Sequence, residues 1–118
     1  MHIILVDDEQ KFVTMLAKRL ALRGIHADIA FSGDEAIQKA EKNTYDAAVL
    51  DLKMPGISGI QLKDRLHDMQ PDLAFIFVTG HGGMDTPEKE LVQKEIFLSK
   101  PLNIDILTDK LNEIAGKG

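Results

Sequence analysis

The sequence predicts an α/β fold: a doubly wound, five-stranded parallel sheet carrying five helices. Three observations predict it. Short apolar runs alternate with longer amphipathic segments along the whole chain. Polar residues close the first, third, fourth and fifth of these runs. Repeats, linkers and low-complexity stretches do not interrupt the alternation. Strands that alternate with helices call for a parallel sheet covered on both faces, and right-handed crossovers wind it in two directions.

The first strand is expected at Ile3–Val6. A helix follows in which Phe12, Leu16 and Leu20 recur at i, i+4 and i+8, with Lys11, Lys18 and Arg19 between them. Gly24 stops it. Ala27–Ala30 is the second strand, and a helix over roughly Asp34–Lys42 takes Ser32 or Gly33 as its cap. Ala47–Leu50 is a third, fully apolar run, followed by Pro55-Gly56 and a helix from about Gly59 to Met69, ahead of Pro71. Ala74–Val78 is the fourth strand. Asp85-Thr86-Pro87-Glu88 starts a fourth helix, since a capping residue there precedes Pro and acid in the first turn. Ile96–Leu98 is the fifth strand, and the last helix lines up Ile104, Leu107, Leu111 and Ile114 on one stripe. Only the tail, Ala115-Gly116-Lys117-Gly118, resembles the start of a linker.

A chain of 118 residues suits one domain over residues 1–118, with one core. It has no cysteine, which excludes a disulfide framework or thiolate metal site and fits a reducing cytoplasm. No apolar stretch approaches the roughly 20 residues that span a bilayer, and the N-terminus enters a strand without a signal-peptide pattern. The net charge is −5 and the lysines are scattered, so the basic footprint of a nucleic-acid binder is missing. His2, His26 and His67 show no ligand spacing and read as surface or strand-edge residues.

Polar residues at the strand ends carry the chemistry. Asp51 follows the third strand, and Asp7-Asp8-Glu9 follow the first. Thr79-Gly80 follows the fourth and Lys100-Pro101 the fifth. Taken singly, each reads equally as a turn former, a helix cap or a solvated side chain. In a doubly wound sheet, however, the carboxyl ends of strands sit side by side, where ligands gather. Three carboxylates at one edge repel one another, and a hard cation relieves that repulsion. Oxygen ligands alone favour Mg²⁺ over Zn²⁺, and Mg²⁺ accepts phosphate oxygens as further ligands. An Asp carboxylate in such a site can attack phosphorus. Lys100 would offset charge on the transferring group, and Thr79 would donate a hydrogen bond to it.

Together these residues resemble the receiver domain of two-component response regulators, the CheY-like family, over essentially the whole chain. The resemblance rests on Val6-Asp7-Asp8-Glu9, on Leu50-Asp51-Leu52-Lys53-Met54-Pro55-Gly56 with Gly59, on Val78-Thr79-Gly80 and on Lys100-Pro101. It implies a flavodoxin-like (βα)5 fold with strand order 2-1-3-4-5. It also implies that Asp51 is the phosphoacceptor. Asp7 and Asp8 would hold Mg²⁺ together with the Asp51 side chain and the Lys53 backbone carbonyl. Thr79 and Lys100 would contact the phosphoryl group, Phe97 would be the switch aromatic, and the Lys100–Pro101 bond would be cis. The function implied is a phosphorylation-activated switch rather than an enzyme acting on external substrates. A sensor histidine kinase or a phosphotransfer protein would supply the phosphoryl group, and an output domain or downstream protein would read the state. A phosphorylation-dependent homodimer is a further expectation. Lys53 and His81, each two residues beyond a site residue, are expected to tune the lifetime of the phosphoryl group.

One segment departs from the family pattern. Between Gly82 and Ile96 the small, Ala-rich fourth helix is replaced by a polar stretch with few apolar positions, expected to form a short, loosely held helix. That puts the usual output face in question. Two other classes compete. A haloacid-dehalogenase-like hydrolase wants a second Asp two residues past the nucleophile, where this chain has Lys53, and the length leaves little room for a cap. A pseudo-receiver is opposed by the intact set Asp7, Asp8, Asp51, Thr79 and Lys100.

Overall fold

The computed structural model describes residues 1–80 and 96–115. Five strands, β1 (His2–Val6), β2 (His26–Ala30), β3 (Ala47–Asp51), β4 (Ala74–Thr79) and β5 (Ile96–Ser99), form one sheet in the order β2-β1-β3-β4-β5. Every neighbouring pair runs parallel. The described helices are α1 (Gln10–Ala21), α2 (Gly33–Lys42), α3 (Gly59–Met69) and α4 (Ile104–Ala115). The helix expected from Asp85 lies outside the described residues, as do His81 and the tail from Gly116. The fold class and strand order are those expected.

Alternation along the strands divides the core between two faces of the sheet. In β1, Ile3 and Leu5 join Val13, Leu16, Leu20, Leu107 and Leu111 in one cluster. Ile4 and Val6 join Ala36, Ala40, Leu62, Leu66 and Phe77 in the other. Thus α1 packs beside α4 on one face and α2 beside α3 on the opposite one. Leu62, Leu66, Leu107 and Leu111 are fully enclosed; truncating any one to alanine would cost about 2–5 kcal/mol.

Local chemistry sets the helix ends. Ser32 caps α2 by accepting from the Glu35 N–H at 3.1 Å. Ser58 and Gln61 form a reciprocal capping box on α3. Asn103 Oδ1 accepts from the Asp105 and Ile106 N–H groups at 2.9 and 3.1 Å to start α4. The fully buried stripe of α1 is Val13, Leu16 and Leu20, and Phe12 packs against the same cluster only partly buried. Its ring lies at the margin, under the Lys100 ammonium at 4.8 Å. All five strands also run one residue past the expected apolar runs at their carboxyl or amino ends, and two of these extensions make Asp51 and Thr79 the last residues of β3 and β4. Both side chains are therefore aligned by the sheet rather than by a loop. Among the described residues no helix is long and apolar enough to cross a membrane.

Candidate functional site

Backbone bonds bring the strand ends together. The Leu52 N–H donates to the Val78 carbonyl at 3.0 Å, holding β3 against β4 one residue past Asp51. The Lys100 N–H donates to the Thr79 carbonyl at 2.8 Å, which sets the exit of β5 beside the end of β4. The Lys100–Pro101 peptide bond is cis, as expected. After β3, Gly56 takes φ +82°, the left-handed conformation that a Pro-Gly turn requires. Gly59 then starts α3 flush against the strand: a Cβ there would lie 2.5 Å from the Asp51 carbonyl oxygen and 2.9 Å from Leu52 Cα. The helix can approach Asp51 this closely only with a glycine at that point.

Into this corner project Asp7, Asp8 and Asp51, whose carboxylate oxygens lie within 4.8 Å of one another. Asp7 and Asp51 are buried and Asp8 is exposed. Asp7 Oδ1 accepts from the Glu9 N–H at 2.9 Å, and Asp51 Oδ1 accepts from the Lys53 N–H at 3.2 Å. The Lys53 side chain itself is exposed. Lys100 supplies the positive charge: its Nζ is 3.1 Å from Asp7 Oδ2, 3.8 Å from Asp51 Oδ2 and 2.6 Å from Glu9 Oε1.

The electrostatics follow from this crowding. Burial, then the charge on Asp7, pushes the Asp51 carboxyl up to about 6, against the opposing pull of Lys100 and the Lys53 N–H. Burial alone would lower Lys100, but hydrogen bonds to Glu9 and Asp7 and the nearby Asp51 charge outweigh it and raise it above the ordinary lysine value. Opposite the carboxylates, the Thr79 Oγ1 is buried and has no hydrogen-bond partner among the described residues. A buried hydroxyl left in this state marks a place where a further acceptor belongs. Phe97 is half-buried, stacked on Phe77 with ring centroids 5.5 Å apart. The register pairs Phe77 with Phe97 and Thr79 with Ser99, so Thr79 and Phe97 face the same side of the sheet.

The structure therefore gathers Asp7, Asp8, Asp51, Thr79 and Lys100 at one edge, with Lys53 adjoining and Phe97 a few residues away. His81 is outside the described residues. Sequence reasoning assigned no role to Glu9 or Phe12, the two groups that seat Lys100. Glu9 stood inside the acidic motif, which was the available signal; Phe12 was absorbed into the helix stripe. The donor set suits a small hard cation, since three converging carboxylates offer only oxygen and their mutual repulsion favours added positive charge.

Comparison with known proteins agrees with this arrangement. A family model described as the response regulator receiver domain matches residues 3–112. The transcriptional regulatory protein TcrA of Mycobacterium tuberculosis is 30% identical over 118 residues, covering 99% of this chain and 47% of TcrA. The response regulator receiver protein CpdR of Brucella abortus is 29% identical over 114 residues, covering 96% of this chain and 92% of CpdR. The crystal structure of the response regulator protein TrrA from Thermotoga maritima, in complex with Mg²⁺-BeF, matches with a TM-score of 0.82 at 29% identity, covering 96% of this chain and 97% of that one. The chain spans about half the length of the first curated relatives it matches. Because the family match runs from the first strand into the last helix, the chain belongs to the response regulator receiver domain family of two-component signalling, whose general function is a phosphorylation-dependent switch.

Proposed function

We propose that residues 1–118 act as one phosphoacceptor unit in which Asp51 receives a phosphoryl group and Thr79, Lys100 and Phe97 convert its arrival into a change of shape. Asp7, Asp8, the Asp51 side chain and the Lys53 backbone carbonyl would hold Mg²⁺. When bound, the cation supplies charge neutralisation for the carboxylates and for the transferring oxygens. The observation that carries the reading is the pairing of a crowded carboxylate, Asp51, with a buried hydroxyl, Thr79, that has no partner among the described residues, at adjoining strand ends.

In the transfer, an Asp51 carboxylate oxygen forms a bond to phosphorus as the bond from phosphorus to the donor breaks. The donor leaves with that electron pair: an imidazole nitrogen from a phosphohistidine, or an acyl oxygen from a small phosphodonor. Lys100 balances the charge that arrives, exchanging its bond to Glu9 for one to a phosphoryl oxygen. The Thr79 hydroxyl gains the acceptor it lacks. The phosphoryl group adds roughly −1.5 to −2 charge, and Thr79 and Lys100 gain partners only in that state, which shifts a two-state equilibrium. Phe97, on the same face as Thr79, then repacks and reports the change.

The phosphoryl source is a sensor histidine kinase or phosphotransfer protein in the cytoplasm, and the reader is an output domain or separate partner, with homodimerisation a further consequence of phosphorylation. The family is one of signalling phosphoacceptors rather than classical enzymes. Lys53 and His81 tune the lifetime of the phosphoryl group, and a Lys53→Ala, His81→Ala double variant should dephosphorylate at a changed rate.

Incubation with Mg²⁺ and acetyl phosphate, followed by an intact mass, tests the reading. A gain of one phosphoryl group, lost in Asp51→Asn and without Mg²⁺, is the expected result. No gain in the wild-type chain would identify a binding module that does not accept phosphate, and turnover of unrelated phosphate esters would identify a hydrolase.

A further inference from the structure

The opposite end of the sheet holds a second cluster of ligating side chains. His2 opens β1 and His26 opens β2, and the parallel register pairs them directly. Asp28 lies two residues along β2 and so faces the same side as His26. His2 Nε2 is 3.1 Å from Asp28 Oδ2, and His26 Nε2 is 3.3 Å from Asp28 Oδ1. We propose that His2, His26 and Asp28 form a binding site for a divalent transition-metal ion of the Zn²⁺ class.

The spacing of the donors supports it. Zinc bonds to imidazole nitrogen and carboxylate oxygen are about 2.0–2.2 Å long, which puts neighbouring tetrahedral donors about 3.4 Å apart. The two nitrogen–oxygen separations are 3.1 and 3.3 Å, and all three donors lie within 4.8 Å of one another. An ion at their centre would need only small side-chain rotations. Two imidazoles and one carboxylate leave a fourth position for water or a further ligand. Imidazole nitrogen suits zinc, nickel or copper, whereas Mg²⁺ prefers oxygen alone. The two ends of the sheet thus differ in the metal they select.

A second observation concerns what holds the carboxylate. The Tyr45 hydroxyl donates to Asp28 Oδ2 at 2.7 Å from a buried ring, and that ring meets the His2 imidazole edge-on at 4.7 Å. Metal-binding carboxylates are commonly oriented by such an outer hydrogen bond. The His26 side chain is 70% exposed, which leaves a route for an ion to enter. Since β2 is an edge strand, an ion here would clamp its start to β1. The site does not depend on the phosphoacceptor reading: it lies five strand residues, about 16 Å, from Asp7.

Titration calorimetry with ZnCl2, in buffer containing excess Mg²⁺, tests the proposal. One Zn²⁺ should bind per chain, with at least tenfold weaker binding in His26→Ala and unchanged binding in Asp51→Asn. A parallel NMR titration of the wild-type chain, which needs no variant to fold, should move the His2 and His26 ring signals and leave that of His67 in place. Absence of Zn²⁺ binding, binding that Asp51→Asn removes, binding that His26→Ala leaves intact, or unmoved His2 and His26 signals would each overturn it.

Discussion

Asp51 and Asp28 are two carboxylates at the two ends of the same sheet, and their environments pull them in opposite directions. Burial pushes both upward. At Asp51 the next influence is another carboxylate, Asp7, and the group rises to about 6. At Asp28 the Tyr45 hydroxyl bond and then His2 and His26 outweigh burial, and the group falls below its ordinary value of 3.8. One carboxylate is therefore satisfied by the resting fold and the other is not. The difference teaches where the fold keeps free energy in reserve: at the carboxyl edge, where the proposed cation and phosphoryl group would relieve charge repulsion and a buried hydroxyl without a partner among the described residues.

Several substitutions would break or sharpen that contrast. The largest effect is expected from Gly59→Ala. Its Cβ would meet the Asp51 carbonyl oxygen at 2.5 Å, so α3 or the end of β3 must move. A loss of about 3 kcal/mol or more in urea unfolding, with impaired phosphorylation by acetyl phosphate, would show that Asp51 is positioned by helix contact as well as by the sheet.

Asp51→Asn comes next and has the opposite sign. Asp51 titrates near 6 in the folded chain against 3.8 for a free carboxyl. Between those values the folded state binds more protons than the unfolded one, so stability falls as pH rises through the window and stays lower above it. Without Mg²⁺, Asp51→Asn should therefore be more stable than wild type by about 2 kcal/mol at pH 8. The gain should vanish below about pH 4 and shrink when Mg²⁺ binds the wild-type chain. Equal melting temperatures at pH 8 in a chelator would contradict the account.

Tyr45→Phe probes the satisfied end with a smaller effect. It removes a hydrogen bond to a carboxylate at 2.7 Å, for a loss of about 1.5 kcal/mol and an upward shift of the Asp28 titration. Phosphorylation of Asp51 should proceed as in wild type, which a mass spectrum checks.

The parts of this picture that were legible in the sequence are the local ones. Apolar runs located the strands, Gly59 and Pro71 bounded α3, and the acidic, Thr and Lys residues at the strand ends converge as the parallel topology requires. What the sequence hid depends on register and on side-chain reach. His2 and His26 are far apart along the chain, and only the pairing of β1 with β2 makes them neighbours, which no spacing in the sequence conveys. Glu9 and Phe12 seat Lys100 across the fold from β5. A stripe count could not distinguish Phe12 from a core residue, because its ring is half-buried and serves both purposes.

The most direct test of the contrast is a carbon-13 NMR titration of the Asp51 and Asp28 side-chain carboxyls in one sample, with and without Mg²⁺. Without the cation, Asp51 should titrate near 6 and Asp28 below 3.8. Added Mg²⁺ should lower the Asp51 midpoint by a unit or more (about 1.4 kcal/mol per unit) and leave Asp28 in place. Coincident midpoints, or an Asp51 midpoint indifferent to Mg²⁺, would contradict a carboxyl edge held in reserve for a cation and a phosphoryl group.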